Sequence, residues 1–325
     1  MMWDVGDLVL AALGLAFAVS IGAHYTGACM GMAYAGGAIR RGPALAVMAV
    51  LAFAGAAIAS GHVVTKVGLS IVPDGSLTVA SASIVVGVAF LLTSAYNQVR
   101  LPTSTIQILV FSLVGVGLAA GIAIDWGTIG GLLIVWALAP VAAAGLGYAF
   151  TVGLTRARAP APSASSGARG TAMVLVGAAL VASFAMGAND VANAVAVFVT
   201  THLASVAVAG VLGGAALAVG VLTWGRPLLE TVAFDIVRLD PKMATAAQLA
   251  QGTVVLGVVL AAGTFTSMNQ ALVGAMAGAG LARHRSAVQW PMIRGILLGW
   301  ALGPTSGLVA GYAGVLFARL LGVPL

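Results

Sequence analysis

The chain has 325 residues, of which 61% are hydrophobic and 7% are charged, with a net charge of +6. Its mean hydropathy is +1.11. A soluble domain carries about 25% charged residues and could not bury this much apolar surface. The composition therefore predicts an integral membrane protein in contact with the lipid bilayer. The basic residues are scattered, which argues against nucleic acid as a partner, and the single Cys29 excludes a disulfide framework.

The apolar segments are long enough to cross a membrane, because a spanning helix needs about 20 residues. In the first half they lie at 5–38, 43–61, 77–99, 104–122 and 127–153. In the second half they lie at 171–200, 203–223, 244–263, 265–282 and 286–317. A basic stretch rich in Pro, Ser and Ala separates the halves. We therefore predict a first transmembrane repeat over 1–153, a cytoplasmic linker over 154–170 and a second transmembrane repeat over 171–325.

The two halves match each other at a nearly constant offset. Gly22-Ala23 lies 165 residues before Gly187-Ala188, and Trp136-Ala-Leu-Ala-Pro140 lies 164 residues before Trp300-Ala-Leu-Gly-Pro304. Further matches keep the same order, so the agreement exceeds chance even in so biased a composition. An internal duplication in a membrane protein is characteristic of transporters, whose substrate site lies at the repeat interface.

The charged residues predict how the chain threads the membrane. Asp4 and Asp7 favour an outside N-terminus, whereas Arg40, Arg41 and the linker arginines favour the cytoplasmic side. Each half then crosses an odd number of times, so the repeats have inverted topology and both termini lie outside. The predicted fold class is an all-α integral membrane protein with two inverted-topology repeats. We expect a multi-pass protein of the plasma (inner) membrane.

Charge does not decide whether segments 77–99 and 104–122 are two full crossings or one re-entrant hairpin. Both arrangements return the chain to the side of the membrane on which it started. Two crossings would put the run from Arg100 to Thr105 at a water interface, where Arg100 would anchor the topology. A hairpin would put the run at a tip near the midplane. There Arg100 would be a fixed cation whose planar donor fork suits an oxyanion. The residues leave both positions open.

Asp190 is the only charged residue within 171–224. An ionisable group so deep in apolar sequence is costly and indicates function. Asn189 and Asn193 share a helix face, and Gly187 beside them favours a break in the helix, which would offer N–H groups to an anion and carbonyls to a cation. We predict Asp190, Asn189 and Asn193 as cation-coupling residues. The alternative is a structural aspartate bonded to a neighbouring helix.

Two hydroxyl-rich turns occupy matching places in the halves. The first tip is Pro102-Thr-Ser-Thr-Ile-Gln107, and the second tip is Thr264-Phe-Thr-Ser-Met-Asn-Gln270. A tetrahedral oxyanion needs several neutral donors converging on it, which Ser, Thr and Gln supply without adding charge. The alternative is a polar turn between two ordinary helices. The predicted substrate-binding residues of the tips are Thr103, Ser104, Thr105, Gln107, Thr266, Ser267, Asn269 and Gln270.

Three further residues are candidates for the substrate site. Gly22 and Gly187 would contribute free backbone N–H groups near a helix break. His24 and Tyr25 occupy the place that Asn189 and Asp190 hold in the second half. His24 would either line the site or serve as a packing residue.

Gly187-Ala-Asn-Asp-Val-Ala-Asn-Ala194 resembles the signature of the inorganic phosphate transporter family. In that family the signature occurs once per inverted repeat, and each signature is followed by a re-entrant hairpin with a Pro-x-Ser-Thr-type tip. The first tip resembles such a sequence, and the resemblance runs from Phe17 to about Phe317. It implies broken helices and two re-entrant hairpins in this chain.

The first repeat differs from the signature of the phosphate members. Those proteins have Gly-Ala-Asn-Asp where this chain has Gly22-Ala-His24-Tyr25. The following stretch, 30–41, is similar to the branch of the family assigned as sulfate permeases. In the sodium–phosphate members the two signature regions help hold sodium ions beside the anion. Only one signature carboxylate is present here, so the resemblance leaves Asp190 as the position for sodium.

These patterns predict a secondary active transporter that imports a tetrahedral oxyanion, sulfate before phosphate, by symport with a cation. Moving a dianion inward against 100 mV costs about 4.6 kcal/mol, so a cation must accompany it. Because Asp190 is the one intramembrane carboxylate, we favour H+ over Na+. The alternatives are a sodium-coupled inorganic phosphate symporter and a passive anion channel, which would not need Asp190.

The sequence lacks nucleotide-binding, zinc-binding and hydrolase nucleophile motifs. We therefore expect neither an enzyme nor an organic cofactor, and no protein-bound metal other than a coupling sodium ion. The sequence leaves a homodimer open.

Overall fold

A computed structural model of the chain describes residues 4–61, 71–73, 75–156, 164–262 and 265–325, without the side chains of 164–168 and 259–262. Within these residues the chain forms twelve α-helices and no β-strand. The predicted all-α class is therefore confirmed for the part of the chain that the structure describes.

Six of the helices lie in the first half and six in the second. The first six are α1 (Val5–His24), α2 (Thr26–Ala35), α3 (Arg41–Ala59), α4 (Val79–Gln98), α5 (Thr105–Ala120) and α6 (Trp126–Arg156). The second six are α7 (Ala164–Thr200), α8 (Val206–Trp224), α9 (Arg226–Phe234), α10 (Pro241–Ala262), α11 (Met268–Arg283) and α12 (Trp290–Leu320). Helices α6 and α7 take in both ends of the predicted 154–170 linker, of which residues 157–163 lie outside the described chain.

The described residues contain seven apolar stretches long enough to cross a membrane. They are Val5–Ala35, Arg41–Ala59, Val79–Gln98, Trp126–Arg156, Arg169–Thr200, Val206–Trp224 and Trp290–Leu320. Large apolar side chains such as Ile134 and Leu138 are exposed on these helices, as lipid-facing residues are. The number of such helices, together with their exposed apolar side chains, confirms the prediction of a multi-pass membrane protein.

Each half packs a short helix against a long helix of the other half. Helix α5 packs along α12, and α11 packs along α6. The approach is close because a Cβ at Gly115 would clash with the Leu308 carbonyl, and one at Gly278 with the Ala144 carbonyl. Small residues at these crossings let helix backbones touch within a membrane. Each short helix is therefore packed closely against the opposite half of the chain.

Helix α9 is a short element with one apolar face and one charged face. Val232 packs against Gly27 of α2, whereas Glu230 lies on the other side and pairs with Arg41 and Arg226 at 3.0 and 2.9 Å. Slight burial raises the pKa of the Glu230 carboxyl. Hydrogen bonds from the two arginines outweigh that effect and hold the pKa below its ordinary value.

Candidate anion and cation site

Both tips lie at helix N-termini inside the protein. Ser104 is the N-cap of α5, and its Oγ accepts a hydrogen bond from the Gln107 backbone N–H at 3.4 Å. Ser267 caps α11 in the same way and accepts from the Gln270 N–H at 3.3 Å. The first two N–H groups of each helix have no acceptor within the helix. Thr264 of the second tip lies outside the described residues.

Two glutamine side chains join the two helix N-termini. The amide nitrogens of Gln107 and Gln270 each donate to the other's amide oxygen, both at 3.1 Å. The amide nitrogen of Asn269 also donates to the Thr103 carbonyl at 3.0 Å. Two positive helix ends therefore meet at one buried place, and the tip residues themselves carry no charge. Such an arrangement favours binding of an anion.

His24 holds the first tip against α1. Its Nδ1 lies 2.6 Å from Asn97 Oδ1, and its Nε2 accepts from the Thr103 backbone N–H at 3.0 Å. Since Nε2 accepts, we assign the proton to Nδ1, which then donates to Asn97. Asn97 in turn donates to the Ser20 carbonyl at 2.9 Å. Both ring nitrogens of this fully buried histidine are occupied by protein groups.

Tyr25 contacts the first tip and lies near Asp190. It stands at the break between α1 and α2, where its backbone leaves the helical conformation with φ −94° and ψ 2°. Its hydroxyl lies 3.1 Å from Thr105 Oγ1, and the Asp190 carboxylate lies nearby. Tyr25 is fully buried and Asp190 is 7% exposed. The described structure therefore places Asp190 near Tyr25, whose hydroxyl contacts the predicted substrate-binding residue Thr105.

The two asparagines predicted beside Asp190 lie in different surroundings. Asn193 is buried, and its Nδ2 lies 3.5 Å from Asp190 Oδ1. Asn189 is half-buried and lines a cavity of about 390 Å³ between α7 and α10. That cavity also contacts Gln251 and Met268. Of the two asparagines, only Asn193 is in direct contact with the Asp190 carboxylate.

The prediction of a helix break at Gly187 is wrong. Helix α7 runs without interruption from Ala164 to Thr200, so its backbone N–H groups near Gly187 are used within the helix. A Cβ at Gly187 would clash with the Ala52 carbonyl of α3, and one at Gly22 with the Leu217 carbonyl of α8. These glycines serve close helix packing. The break occurs instead in the first half, at Tyr25.

Arg100 lies directly before the first tip but differs from it in burial. Its side chain is exposed, whereas Thr103, Ser104 and Thr105 are at most 2% exposed. Its backbone has a φ of 57° and ends α4 by donating to the Asn97 carbonyl at 3.2 Å. The structure therefore does not bring the guanidinium into the buried cluster of tip hydroxyls.

Sequence reasoning missed two residues that hold the first tip. Asn97 is a buried amide near the end of an apolar helix, and Trp300 Nε1 donates to the Pro102 carbonyl at 3.1 Å. A lone polar residue in an apolar run was the available signal for Asn97. The repeat of Trp136 and Trp300 marked both tryptophans, but not their partners.

The second tip has unpaired polar atoms that the first tip lacks. Thr266 Oγ1 and Asn269 Oδ1 are buried and have no hydrogen-bond partner. Trp136 Nε1, the counterpart of the Trp300 donor, is also buried and unpaired. Buried polar atoms without partners are uncommon in native proteins and call for an explanation such as a bound ion or ligand. The second tip therefore has free hydrogen-bonding capacity that the first tip lacks.

The fold is that of a known class of membrane transporter. It matches a solved structure titled "The sodium-dependent phosphate transporter" with a TM-score of 0.85 and 20% sequence identity, over 98% of this chain and 100% of that one. The sequence pattern of the phosphate transporter family (PHO4) matches residues 21–168 and 163–310. The chain therefore belongs to the phosphate transporter family, which confirms the resemblance found in the sequence. Members are membrane transporters and not enzymes.

The names of individual relatives state different substrates. The chain is 34% identical over 238 residues to the sulfate permease CysP of Bacillus subtilis, covering 72% of this chain and 66% of that protein. It is 25% identical to a putative phosphate permease of Pyrococcus furiosus over 99% of this chain and 98% of that one. It is 32% identical to the zebrafish (Danio rerio) sodium-dependent phosphate transporter 1-A over 42% of this chain and 22% of that one.

Replacing His24 by alanine is expected to destabilise the protein. The substitution leaves Asn97 Oδ1 and the Thr103 N–H without partners, at a cost of about 1–3 kcal/mol for each buried group. Thermal unfolding of the purified protein in detergent, followed by tryptophan fluorescence, measures the loss. His284→Ala, at an exposed position, is the control. Equal melting temperatures for the two variants would contradict the role of His24.

The close approach at Gly187 predicts a steric effect of a single methyl group. Gly187→Ala is expected to lower stability by about 1–3 kcal/mol through overpacking against α3. Gly145→Ala is the matched control, since a Cβ there meets open space. The same unfolding assay compares them. A Gly187→Ala protein as stable as the Gly145→Ala protein would show that the helices separate without cost.

Proposed function

We propose that this protein is a secondary active transporter that imports a tetrahedral oxyanion by cation symport, with sulfate as the first candidate and H+ as the favoured cation. The observation that carries this proposal is the meeting of two buried helix N-termini beside a buried carboxylate. Neutral donors at the helix ends suit the anion, and Asp190 suits a cation. The family match adds support for oxyanion transport.

The anion would lie between the two tips. The hydroxyls of Ser104 and Ser267 accept from backbone N–H groups, so their own protons stay available for donation. Thr105, Thr266 and the first N–H groups of α5 and α11 add further donors. Thr103, Gln107, Asn269 and Gln270 would shape the site through the hydrogen bonds that join the tips. His24 would act by holding the first tip in place.

The two tips would be the turns of re-entrant hairpins in inverted repeats. Helix α5 has 16 residues, or about 24 Å at 1.5 Å per residue, which is less than the hydrocarbon thickness of about 30 Å. It also begins at a buried residue and not at a surface. Both features support a hairpin formed by α4 and α5 and a second one formed by α10 and α11. With the charge pattern, they support outside termini and a cytoplasmic linker.

Sulfate is favoured over phosphate by the partners of the site's acceptors. At neutral pH phosphate carries a proton that must be donated on burial, whereas sulfate has none. The amide oxygens of Asn97, Gln107 and Gln270 are taken by protein donors. The 34% identity to a sulfate permease supports the same choice.

The sodium-coupled phosphate symporter remains the second candidate because of one atom. Asn269 Oδ1 is buried and unpaired, and it could accept the proton of a phosphate group. The match to a solved sodium-dependent phosphate transporter concerns the fold. Asp190 and Asn193 would in that case hold sodium through their side-chain oxygens.

Uptake of radiolabelled sulfate into proteoliposomes tests the proposal. We expect sulfate accumulation that follows an imposed pH gradient and is inhibited only weakly by excess phosphate. Uptake driven by sodium and blocked by phosphate would establish the second candidate instead. Equilibration without accumulation under either gradient would indicate a passive anion channel and overturn the symport.

Asp190→Asn is expected to preserve folding and abolish concentrative uptake. The amide is nearly isosteric, but it carries no charge with which to bind a proton or a metal cation. The measurement is accumulation of sulfate in the assay above, with size-exclusion profiles as the folding control. Full gradient-driven accumulation by Asp190→Asn would reject the coupling role of this carboxylate.

Arg100→Ala separates the two positions considered for that residue. An exposed cation near the mouth of an anion site raises the local anion concentration by long-range attraction. We therefore expect a higher KM for sulfate at low ionic strength, an unchanged maximal rate, and a smaller difference at high salt. Abolished uptake at all salt concentrations would instead place the guanidinium in direct contact with the anion.

A further inference from the structure

Two connecting segments of the second half meet at the surface where helix α12 begins. A short antiparallel pairing joins them, in which the Arg238 N–H donates to the Ala287 carbonyl at 2.9 Å. The pairing packs on α11, because a Cβ at Gly280 would meet the side chains of the paired Val237 and Val288. The two segments therefore form one platform that is fixed to the end of α11.

Basic residues outnumber acidic ones on this platform. Segments 235–242 and 283–290 contain four basic and two acidic residues, a net charge of +2. Arg283 pairs with Asp240 at 2.6 Å, and the Lys242 ammonium donates to a backbone carbonyl of α6 at 3.0 Å. These two basic side chains therefore have partners within the protein.

The other two cations of the platform, Arg238 and Arg285, are exposed. Among the described residues neither of them forms an ion pair, not even with the nearby Asp235. The Arg285 guanidinium lies over the Trp290 ring, 5.7 Å from the ring centroid. Stacking on an aromatic ring orients the planar guanidinium and leaves its N–H edge free to donate. We call Arg238, Arg285 and Trp290 the basic surface.

The basic surface lies where a membrane helix begins. Trp290 is the first residue of α12, which is long and apolar enough to cross a membrane. Tryptophan is enriched at the boundary between hydrocarbon and headgroups. Leu297 shares a helix face with Trp290, about 10 Å further along the axis, and is 50% exposed. An exposed apolar face therefore continues from the basic surface along α12.

We propose that the basic surface binds the headgroup phosphate of an anionic phospholipid. A guanidinium matches a phosphate with two parallel N–H···O bonds, and the acyl chains of the lipid lie along the apolar face that contains Leu297. The threading proposed above puts this surface on the cytoplasmic side, where anionic lipids attract Lys and Arg. Lipid binding here is independent of the oxyanion and the cation that the protein carries.

The first half forms the same pairing with the opposite charge. The Asp125 N–H donates to the Ile71 carbonyl at 2.9 Å, as the Gln289 N–H donates to the Ile236 carbonyl at 3.0 Å. Two acidic residues and no basic one occur in the matching segments of the first half, 70–77 and 119–126. The backbone pairing therefore forms without arginines, so packing of the platform does not account for Arg238 and Arg285.

Lipid titration of the purified full-length protein in a neutral detergent tests the proposal. Native mass spectrometry measures the Kd of phosphatidylglycerol and of phosphatidylcholine with the same acyl chains. We expect phosphatidylglycerol to bind about fivefold more tightly, or better. Arg285→Gln is expected to weaken phosphatidylglycerol binding about fivefold, the effect of one cation near an anionic surface, and to leave phosphatidylcholine binding unchanged.

Arg319→Gln is the matched control. Arg319 is an exposed cation of the same helix, but it lies in the last turn, about 44 Å from Trp290 at 1.5 Å per residue. This variant is expected to bind phosphatidylglycerol as the unmodified protein does. Arg238→Gln is a second, independent variant, for which we expect the same weakening as for Arg285→Gln. Size-exclusion profiles check that each variant is folded.

Three results would overturn the proposal. Equal Kd values for the two lipids would show that the headgroup charge is not recognised. Equal weakening in Arg285→Gln and Arg319→Gln would show a diffuse attraction to the net charge of the protein. Displacement of phosphatidylglycerol by inorganic phosphate, but not by sodium chloride of equal ionic strength, would make the surface a site for a free anion. Each of these failures leaves the proposed symport standing, because none of its residues belongs to the basic surface.

Discussion

Polar groups inside a membrane must find their partners within the protein, because hydrocarbon offers none. Helices α5 and α11 start in the interior, and each would leave several N–H groups bare. Ser104 and Ser267 cap one group at each start, and the Gln107–Gln270 pair holds the two starts together. The N–H groups that remain are the reason that this place suits an anion.

The halves of the chain depend on each other to hold these helix starts. Glycines allow α5 to touch α12 and α11 to touch α6, so each short helix packs along a long helix of the opposite half. Trp300 adds a hydrogen bond to the Pro102 carbonyl of the first tip. A site built at this interface would change shape if the halves moved relative to each other, which is what alternating access to a substrate requires.

The two halves have also diverged in chemistry. The first half uses His24 and Tyr25 to tie its tip to the end of α1 and to the break that follows it, whereas Thr266 and Asn269 at the second tip keep unpaired atoms. A carboxylate is present only on the second-half signature. One side therefore supplies fixed hydrogen bonds and the other supplies the charge and the free capacity, which suits a site that binds two unlike ions.

The sequence by itself determined the membrane class, the approximate bounds of α4 and α5, the two polar tips and the isolated carboxylate of Asp190. Those features follow from the solvent preference of neighbouring residues, which is a local property. Sequence reasoning placed a helix break at Gly187 because glycine beside asparagine disfavours a helix; packing of α7 against α3 instead uses that glycine for close contact. The partners of His24 lie 73 and 79 residues away. Only the tertiary structure decided these pairings, because the meeting of distant side chains depends on how whole helices pack.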